Sequence, residues 1–315
     1  MKKLHIRTPL IESLSLSKRC KKRVYLKMEN MQSTGSFKIR GLGLLCQEGK
    51  KEGAGCFVSS SGGNAGIAAA YAGSKLRVPT VIFVPTTTAS DFWRQMEAYG
   101  AEVRVVGDVW DEAHEQALRF SREVGGLYIS PFDHPLIWKG HSSIVDEIAS
   151  EIDKPKAIVL SVGGGGLLCG VVEGLRRNDW QDVPVVAVET EGTASLAASL
   201  KQGRLVTLDK ITGVAKTLGA KTVAQQALER AQQHPVQSIV VTDREAIEAC
   251  IEFANGHQCL VEPACGASLS VAYGNRDVLK KVEAQAGALA TVVIIVCGGI
   301  GVDLERMREW ESIVG

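Results

Sequence analysis

Short apolar stretches typical of β-strands alternate with helical patterns along most of the 315 residues, and this alternation restricts the possible folds more than any other feature. In the first half, strand-like stretches lie at residues 23–28, 55–59, 80–84 and 102–106. In the second half they lie at residues 157–162, 183–189, 238–241 and 291–296. Short links lead from most strands into helices, which is typical of parallel strands covered by helices on both faces. The sequence therefore predicts an α/β fold with doubly wound, mostly parallel sheets.

The length of the chain favours two domains, because a single core rarely grows beyond about 250–300 residues. Residues 128–135 interrupt the alternation with two prolines, and we expect the chain to cross between domains there. The predicted small domain covers residues 34–135 and is inserted into a large domain formed by residues 1–33 and 136–315. In the large domain, Thr242 and Glu245 predict a capping box at the start of one helix, and a long helix is expected at 263–282.

Composition excludes several classes of function. The net charge of +1 gives no reason to expect a nucleic-acid partner, and no apolar stretch is long enough to span a bilayer. The basic N-terminus is not followed by the apolar region of a signal peptide. The eight cysteines include no Cys-x-x-Cys pair, which favours reduced thiols in a cytoplasmic protein over disulfides or a zinc site.

A lysine stands at the predicted start of a helix in the segment Ser33-Thr34-Gly35-Ser36-Phe37-Lys38-Ile39-Arg40-Gly41. Ser33 and Thr34 are suitable capping residues, and Gly35 allows the backbone to turn. A helix N-terminus disfavours an added cation, so the neutral amine of Lys38 is more accessible there. That amine is the form that reacts with aldehydes to give a Schiff base. The alternative is an ordinary solvated lysine on an amphipathic helix, and the segment alone does not decide between them.

Four consecutive glycines, Gly163, Gly164, Gly165 and Gly166, link an apolar strand to a helix that begins near Leu167. Their bare backbone N–H groups can bind a phosphate at the positive end of the helix. A dinucleotide-binding fold is the rival interpretation, with Glu189 in the place of the ribose-binding acid. The G-x-G-x-x-G pattern fails, however, because no glycine stands at the third position in either register. A phosphate-binding loop is favoured over a turn without a ligand, because four glycines lose much backbone entropy on folding.

Two further loops after strands offer binding groups. Residues 59–66 combine three serines, three glycines and Asn64 ahead of an alanine-rich helix, which suits a carboxylate. The third loop begins Val296-Cys297-Gly298-Gly299. Cys297 either faces a ligand at the strand end or packs as a small apolar residue, and the sequence alone favours packing.

Taken together, these motifs resemble a known family. The segments that carry the resemblance are Thr8-Pro9-Leu10, residues 36–41, residues 61–66, residues 163–166, Val261-Glu262-Pro263-Ala264-Cys265-Gly266 and Cys297-Gly298-Gly299. In this order they are similar to the pyridoxal-phosphate enzymes of the tryptophan-synthase β fold (fold type II), and specifically to the short L-serine/L-threonine dehydratases. The resemblance covers nearly the whole chain.

The resemblance implies roles for individual residues. Lys38 would bind pyridoxal 5'-phosphate covalently and act as the catalytic base, with Phe37 against the pyridine ring. The four glycines 163–166 and Leu167 would bind the phosphate, Asn64 the ring hydroxyl, and Cys297 would face the ring nitrogen. The residues implied in substrate binding are Ser61, Gly62, Asn64 and Phe132. The residues implied in binding a monovalent cation, K⁺ above all, are Glu189, Ser195, Gly163, Thr193, Leu218 and Ala220.

The implied reaction is β-elimination, which converts L-serine to pyruvate and L-threonine to 2-oxobutyrate with release of ammonia. The resemblance also implies a homodimer. Because the chain ends one helix after Cys297, it implies a degradative enzyme without the regulatory extension of biosynthetic threonine dehydratases.

Gly62 departs from the family pattern, in which close dehydratases often carry alanine and serine racemases carry serine. A glycine supplies no hydroxyl, so racemisation is disfavoured. An alanine at this position is expected to stiffen the loop by roughly 0.4–1 kcal/mol and to raise kcat/KM about two- to fivefold. Two alternatives to the lyase stay open: a weakly active cofactor-binding protein with a regulatory role, and a nicotinamide-dependent oxidoreductase.

Overall fold

A computed structural model describes residues 2–274, 279 and 290–314, and within it the chain divides into two compact units. The small unit comprises Met1–Ile6 and Gln32–His141, and the large unit comprises Arg7–Met31 and Ser142–Gly315. Among the described residues, no helix is both long enough and apolar enough to cross a membrane.

The ten strands of the described residues are β1 (Leu10–Glu12), β2 (Arg23–Lys27), β3 (Phe57–Ser59), β4 (Thr80–Val84), β5 (Glu102–Val105), β6 (Leu127–Tyr128), β7 (Ala157–Ser161), β8 (Val185–Thr190), β9 (Val236–Val241) and β10 (Thr291–Ile295). The α-helices described are α1 (Leu14–Cys20), α2 (Lys38–Lys51), α3 (Asn64–Leu76), α4 (Ser90–Ala98), α5 (Trp110–Val124), α6 (Pro135–Ala149), α7 (Gly166–Arg177), α8 (Ser195–Gln202), α9 (Gln225–Gln233), α10 (Asp243–His257), α11 (Pro263–Tyr273) and α12 (Leu304–Val314).

Each unit is built on one sheet. The small unit has four parallel strands in the order β5-β4-β3-β6. The large unit has six strands in the order β1-β2-β10-β7-β8-β9, and only the short β1 runs antiparallel to its neighbour. The expected α/β fold with two mostly parallel sheets is confirmed.

Burial explains the sequence patterns of these elements. Every residue of β7 and β8 is buried, which accounts for their nearly continuous apolar runs. In the small unit, the alanine face of α3 packs into a core cluster with Ile39, Leu42 and Phe57. Small side chains on α3 let the helix lie close to its neighbours, and this is why an alanine-rich segment is buried here.

The unit boundaries differ from the predicted domains in two ways. Residues 1–6 belong to the small unit, because Gln32 exchanges two hydrogen bonds with the backbone of Ile6, at 2.9 and 3.0 Å, and Gln47 Nε2 donates to Lys2 O at 2.8 Å. The chain leaves the small unit after His141, inside α6, and not at residues 128–135. The reason is that β6 pairs with β3 and that Leu136, Ile137 and Trp138, at the start of α6, pack into the core cluster of the small unit.

Several element predictions also need comment. The capping box is confirmed, because Thr242 and Glu245 exchange hydrogen bonds at the start of α10. The long helix expected at 263–282 is too long as predicted: α11 ends at Tyr273, and residues 275–278 and 280–282 lie outside the described part of the chain. Strands β1 and β6 and helices α1, α6, α8 and α9 were not expected.

Candidate active site

The loops that follow β3, β4 and β6 lie at one edge of the small unit's sheet. These strands are parallel, so their carboxyl ends meet at the same edge, where α/β proteins bind ligands. Lys38 joins this edge, because its Nζ donates a hydrogen bond of 2.7 Å to the carbonyl oxygen of Pro131, in the loop after β6. Within the small unit, the structure therefore brings Lys38 together with the residue that precedes Phe132.

Lys38 is the first residue of α2, as the sequence predicts. Gly35 has a φ of 68°, a conformation that suits glycine, and its N–H donates to Gln32 O at 2.7 Å to close the turn before the helix. The expected capping by Ser33 or Thr34 is wrong: Phe37 occupies the cap position without a side-chain hydrogen bond, and Thr34 Oγ1 is buried with no hydrogen-bond partner among the described residues. Lys38 Nζ lies 5.2 Å from the centre of the half-buried Phe37 ring.

The loop after β3 leads directly into α3, which begins at Asn64. Gly63 occupies the cap position of α3, and no side-chain hydrogen bond caps the helix. The positive start of α3 is therefore suited to an anion. Ser61 Oγ accepts from Gly63 N at 3.4 Å, and Asn64 is buried. This arrangement fits the carboxylate-binding role that the sequence indicates for the loop.

Thr88, in the loop after β4, occupies the space beside Gly62. A Cβ atom on residue 62 would lie 2.5 Å from Thr88 Oγ1 and 2.9 Å from Thr88 Cγ2. Gly62 does not have a positive φ, so its backbone conformation allows alanine. The side chain of Thr88, however, already occupies the place of an alanine methyl group. This close contact opposes the gain in kcat/KM that the sequence predicts for an alanine at residue 62. The sequence gives no signal for this contact, because the two residues lie on different loops.

Phe132 is half-buried, and its backbone is held from two sides. Its carbonyl accepts from Trp138 Nε1 at 2.9 Å, and its N–H donates to Ser130 Oγ at 3.4 Å. These contacts fix the loop whose Pro131 carbonyl binds Lys38. The sequence did not indicate this carbonyl as a functional group, because 93 residues separate it from the lysine.

In the large unit, the loops after β7, β8 and β10 share the carboxyl edge of the six-stranded sheet. Gly165, with a φ of 87°, occupies the cap position of α7, and no side chain caps the helix. A Cβ atom on Gly163 would lie 2.9 Å from Leu218 O, and one on Gly165 would lie 2.3 Å from Ala227 Cβ. Close packing and backbone geometry both require glycine here. The uncapped N–H groups at Gly166 and Leu167 suit one phosphate group.

Cys297 follows β10 at the same edge and is buried. The neighbouring Cys265 thiol, burial and the charge of Glu262 raise the pKa of Cys297 well above its ordinary value. The raised pKa keeps the Cys297 thiol neutral at physiological pH. All eight cysteines lie among the described residues and are in the thiol form.

Glu189, near the end of β8, is fully buried. Its two carboxylate oxygens accept from Leu196 N at 2.7 Å and from Ala197 N at 2.8 Å, at the start of α8. Burial raises the pKa of Glu189 to about 7, although these two hydrogen bonds lower it. Among the described residues, no lysine or arginine forms an ion pair with this carboxylate.

The other residues that the resemblance implies in cation binding also lie in the large unit. Ser195 Oγ is buried, and no described residue forms a hydrogen bond with it. Thr193 is also fully buried, and its Oγ1 lies 2.9 Å from Thr190 Oγ1. Leu218 O accepts from Ala220 N at 2.8 Å, next to Gly163. No group of three or more histidine, cysteine and acidic side chains that could hold a metal occurs in the described chain. Hydroxyl, carboxylate and carbonyl oxygens are the donor types that hard cations prefer.

Comparison with known proteins agrees with this geometry. Residues 1–298 match the family described as "Pyridoxal-phosphate dependent enzyme". The L-serine dehydratase/L-threonine deaminase of Homo sapiens is 48% identical over 317 residues, which cover 99% of this chain and 96% of that protein. The serine dehydratase-like protein of Mus musculus is 49% identical over 315 residues, with 99% and 95% covered. The solved structure of an L-serine ammonia-lyase from Rhizomucor miehei is 36% identical, with a TM-score of 0.94 and complete coverage of both chains.

Proposed function

Because the chain belongs to the family of pyridoxal-phosphate dependent enzymes, we propose that it is an L-serine/L-threonine ammonia-lyase. It converts L-serine to pyruvate and L-threonine to 2-oxobutyrate and releases ammonia. The observation that carries this proposal is the placement of Lys38 at an uncapped helix start, beside the Phe37 ring and at the carboxyl edge of a parallel sheet. The names of the similar proteins, which cover nearly the whole chain, support the substrate class.

The residues present fit the cofactor. Lys38 supplies the amine for its aldehyde, and Phe37 supplies an aromatic face for its ring. The uncapped N–H groups at residues 163–167 fit a single phosphate, and the Cβ contacts at Gly163 and Gly165 show why no side chain fills that loop. Asn64 would hydrogen-bond the ring hydroxyl. Pyridoxal phosphate supplies an electron sink for the charge that remains at the substrate Cα when its proton is removed.

The substrate carboxylate would bind to Ser61, Gly62 and Asn64, at the positive N-terminus of α3. Phe132 would form one wall of the pocket. Gly62 carries no hydroxyl, so the loop offers no proton donor at this position and favours elimination over racemisation.

Lys38 moves the proton in this scheme. Its Nζ, once it is neutral, takes the proton from the substrate Cα and later displaces the product. In the free protein, Pro131 O holds this ammonium or amine group through the 2.7 Å hydrogen bond and so keeps the side chain at the sheet edge. A half-buried lysine held in this way loses little side-chain entropy when substrate binds.

Cys297 would determine how strongly the cofactor ring withdraws electrons. Its raised pKa keeps the thiol neutral, so it can form a weak hydrogen bond to the ring nitrogen, but it does not protonate it as a carboxylic acid would. The electron sink is then moderate. Such a sink would be sufficient here, because the β-hydroxyl would leave as water, taking up the electron pair from Cα and the proton that Lys38 Nζ has removed.

Activity of the purified holoprotein with L-serine is the experiment that tests this function. We expect equal amounts of pyruvate and ammonia, and no product from a Lys38→Ala variant. A yellow protein without turnover would favour the regulatory alternative. Turnover that consumes NADH or NAD⁺ in the primary reaction would favour the oxidoreductase.

We also propose that Glu189, Ser195 and the carbonyl groups of Gly163, Thr193, Leu218 and Ala220 bind K⁺. Buried oxygens beside an uncompensated carboxylate support this proposal. Potassium or ammonium should sustain activity and raise the melting temperature more than sodium or lithium at equal ionic strength. Both effects should be lost in Ser195→Ala. Equal rates and equal melting temperatures in all four chlorides would contradict the site.

We further propose that the protein is a cytoplasmic homodimer. Eight cysteines in the thiol form are typical of a reducing compartment. Light scattering of the purified protein should give twice the mass of 33.7 kDa, and a monomer mass would contradict the assembly.

A further inference from the structure

Three polar side chains, one of them from the loop after β3, lie within hydrogen-bond distance of one another. Ser60 Oγ lies 2.7 Å from Tyr128 OH and 3.2 Å from His114 Nδ1, and Tyr128 OH lies 2.9 Å from His114 Nδ1. Ser60 belongs to the loop, Tyr128 to β6 and His114 to α5, all within the small unit. We call these residues the Ser60 triad.

The environment keeps the Ser60 triad uncharged near neutral pH. Burial raises the pKa of Tyr128 to about 12, against the effect of the Ser60 hydrogen bond. Burial also lowers the pKa of His114, although the charges of Asp111 and Glu115 on the same helix oppose this shift. With neutral side chains, one arrangement is consistent with these distances: Ser60 donates to Tyr128, and Tyr128 donates to the unprotonated Nδ1 of His114.

Trp110 closes the triad from the solvent side. Its ring stacks on the His114 ring at 4.5 Å with an interplanar angle of 11°, while 40% of the Trp110 surface stays exposed. The stacked ring limits rotation of the imidazole and shields the hydrogen bonds from water, which strengthens them. Below the triad, the Tyr128 ring packs against a small apolar cluster that includes Val58 and Ala117, so only its hydroxyl end takes part in the polar contacts.

Ser60 is fully buried, and the three residues that follow it are half-buried. The next residues are Ser61, Gly62 and Gly63, and glycines lose more backbone entropy than other residues when a loop is ordered. On its other side, Ser59 Oγ donates to Ile129 O at 3.2 Å. The loop is thus held by side-chain hydrogen bonds from outside it at Ser59 and Ser60, just before the residues proposed to bind the carboxylate.

We propose that Tyr128 and His114 are positioning residues that hold Ser60, and through Ser60 the backbone that binds the substrate carboxylate. This inference rests on the proposed ammonia-lyase function. The triad does not touch the reacting atoms. It acts on how well the loop is ordered before substrate arrives, and therefore on KM more than on kcat.

The test compares Tyr128→Phe with a matched control, Tyr273→Phe. The control removes a tyrosine hydroxyl that also contacts a histidine, His257 Nδ1 at 3.3 Å, but in the large unit. Loss of one hydrogen bond should raise KM for L-serine about three- to tenfold in Tyr128→Phe with kcat within about twofold of the parent. The control should change neither constant. Amide hydrogen exchange at residues 59–66 should be faster in Tyr128→Phe and unchanged in the control.

Two variants of His114 provide a second comparison. Asparagine places an acceptor oxygen close to the position of Nδ1, so His114→Asn should keep KM within about twofold of the parent. His114→Ala removes the acceptor and should raise KM as Tyr128→Phe does. Equal KM values in the parent, Tyr128→Phe and His114→Ala, with unchanged exchange at residues 59–66, would overturn the inference.

Different results would refute the ammonia-lyase function and the positioning role of the Ser60 triad. If the parent does not convert L-serine, the ammonia-lyase function is wrong. Hydrogen exchange at 59–66 and the Kd for L-alanine, which has the same carboxylate but no leaving group, then decide the role of the triad. Unchanged exchange and an unchanged Kd in Tyr128→Phe would refute that role, whatever the parent does with serine.

Discussion

Replacement of Gly62 by alanine has two effects on kcat/KM, and they act in opposite directions. A stiffer loop should bind the carboxylate with a smaller entropy loss, worth roughly 0.4–1 kcal/mol. The new methyl group, however, would lie 2.5 Å from Thr88 Oγ1 and 2.9 Å from Thr88 Cγ2. Ordinary contacts of this kind are about 3.5–4 Å, so Thr88 or the carboxylate loop must move by about 1 Å.

The steric effect should be the larger one. A misplacement of about 1 Å near reacting groups can cost on the order of 10²-fold in rate. Thr88 is half-buried and lies on a loop, so part of the displacement is absorbed there. We therefore expect Gly62→Ala to lower kcat/KM for L-serine about tenfold, equivalent to about 1.4 kcal/mol.

A double-mutant cycle with Thr88→Ala identifies the cause. Thr88→Ala removes the two closest atoms and leaves only Thr88 Cβ, at 3.3 Å from the new methyl group. The double variant should therefore recover to within about twofold of Thr88→Ala alone, a coupling of about 1 kcal/mol. Gly55→Ala is the matched control, because a Cβ there meets no atom within 4 Å and its φ is not positive.

The assay is pyruvate formation at several serine concentrations, with the melting temperature of each variant as a check on folding. A Gly62→Ala protein faster than the parent would refute the steric argument and restore the loop-stiffening expectation. A double variant as slow as Gly62→Ala alone would show that Thr88 is not the cause.

Three further predictions concern stability. Burial and the charges of Lys38, Arg40 and His5 hold the pKa of His141 well below its ordinary value. The unfolded chain therefore binds this proton first, and the unfolding free energy should fall by up to about 1.4 kcal/mol per pH unit as the pH drops below about 6.5. The His141→Asn protein should lack this part of the slope. Lys27 is fully buried between Glu147 and Thr8 O, both at 2.7 Å, and Lys27→Ala should cost about 3 kcal/mol or more. Thr242→Ala removes the capping box of α10 and should cost about 1 kcal/mol.

Urea denaturation of the holoprotein measures all three. Lys154→Ala is the control for Lys27, because its pair with Asp182 is exposed and should be worth less than about 1 kcal/mol. Equal losses for the two lysines would contradict the importance of burial. Parallel pH slopes for the parent and His141→Asn would show that His141 does not titrate as described, and an unchanged free energy in Thr242→Ala would exclude a capping contribution.

The fold was predictable where the pattern is local. The fully buried strand β4 has the predicted bounds, Thr80–Val84, and the Thr242 capping box depends only on residues three apart. Helix α9 was missed because only Ala227, Leu228 and Ala231 are buried, which is a weak apolar stripe. Strand β6 has two residues, and its pairing with β3 defines it more than its own composition.

The site was predictable as a set of motifs and not as a set of contacts. Lys38 and the glycine-rich loops follow from residue types that chemistry requires in order along the chain. The contacts of Lys38 with Pro131 O and of Gly62 with Thr88 depend on which strand ends meet at a sheet edge. The same holds for the packing of Gly165 against Ala227. Such partners are set by tertiary packing, and a linear pattern does not encode them.

Peptide mapping after borohydride reduction tests the central claim most directly, namely that Lys38 is the residue that binds the cofactor. The purified holoprotein is reduced, digested and analysed by mass spectrometry, with Lys38→Ala treated in parallel. We predict that the mass of the reduced cofactor is found on Lys38 in the parent and on no lysine in the variant. Attachment to another lysine, or an equally labelled Lys38→Ala protein, would contradict the proposed site.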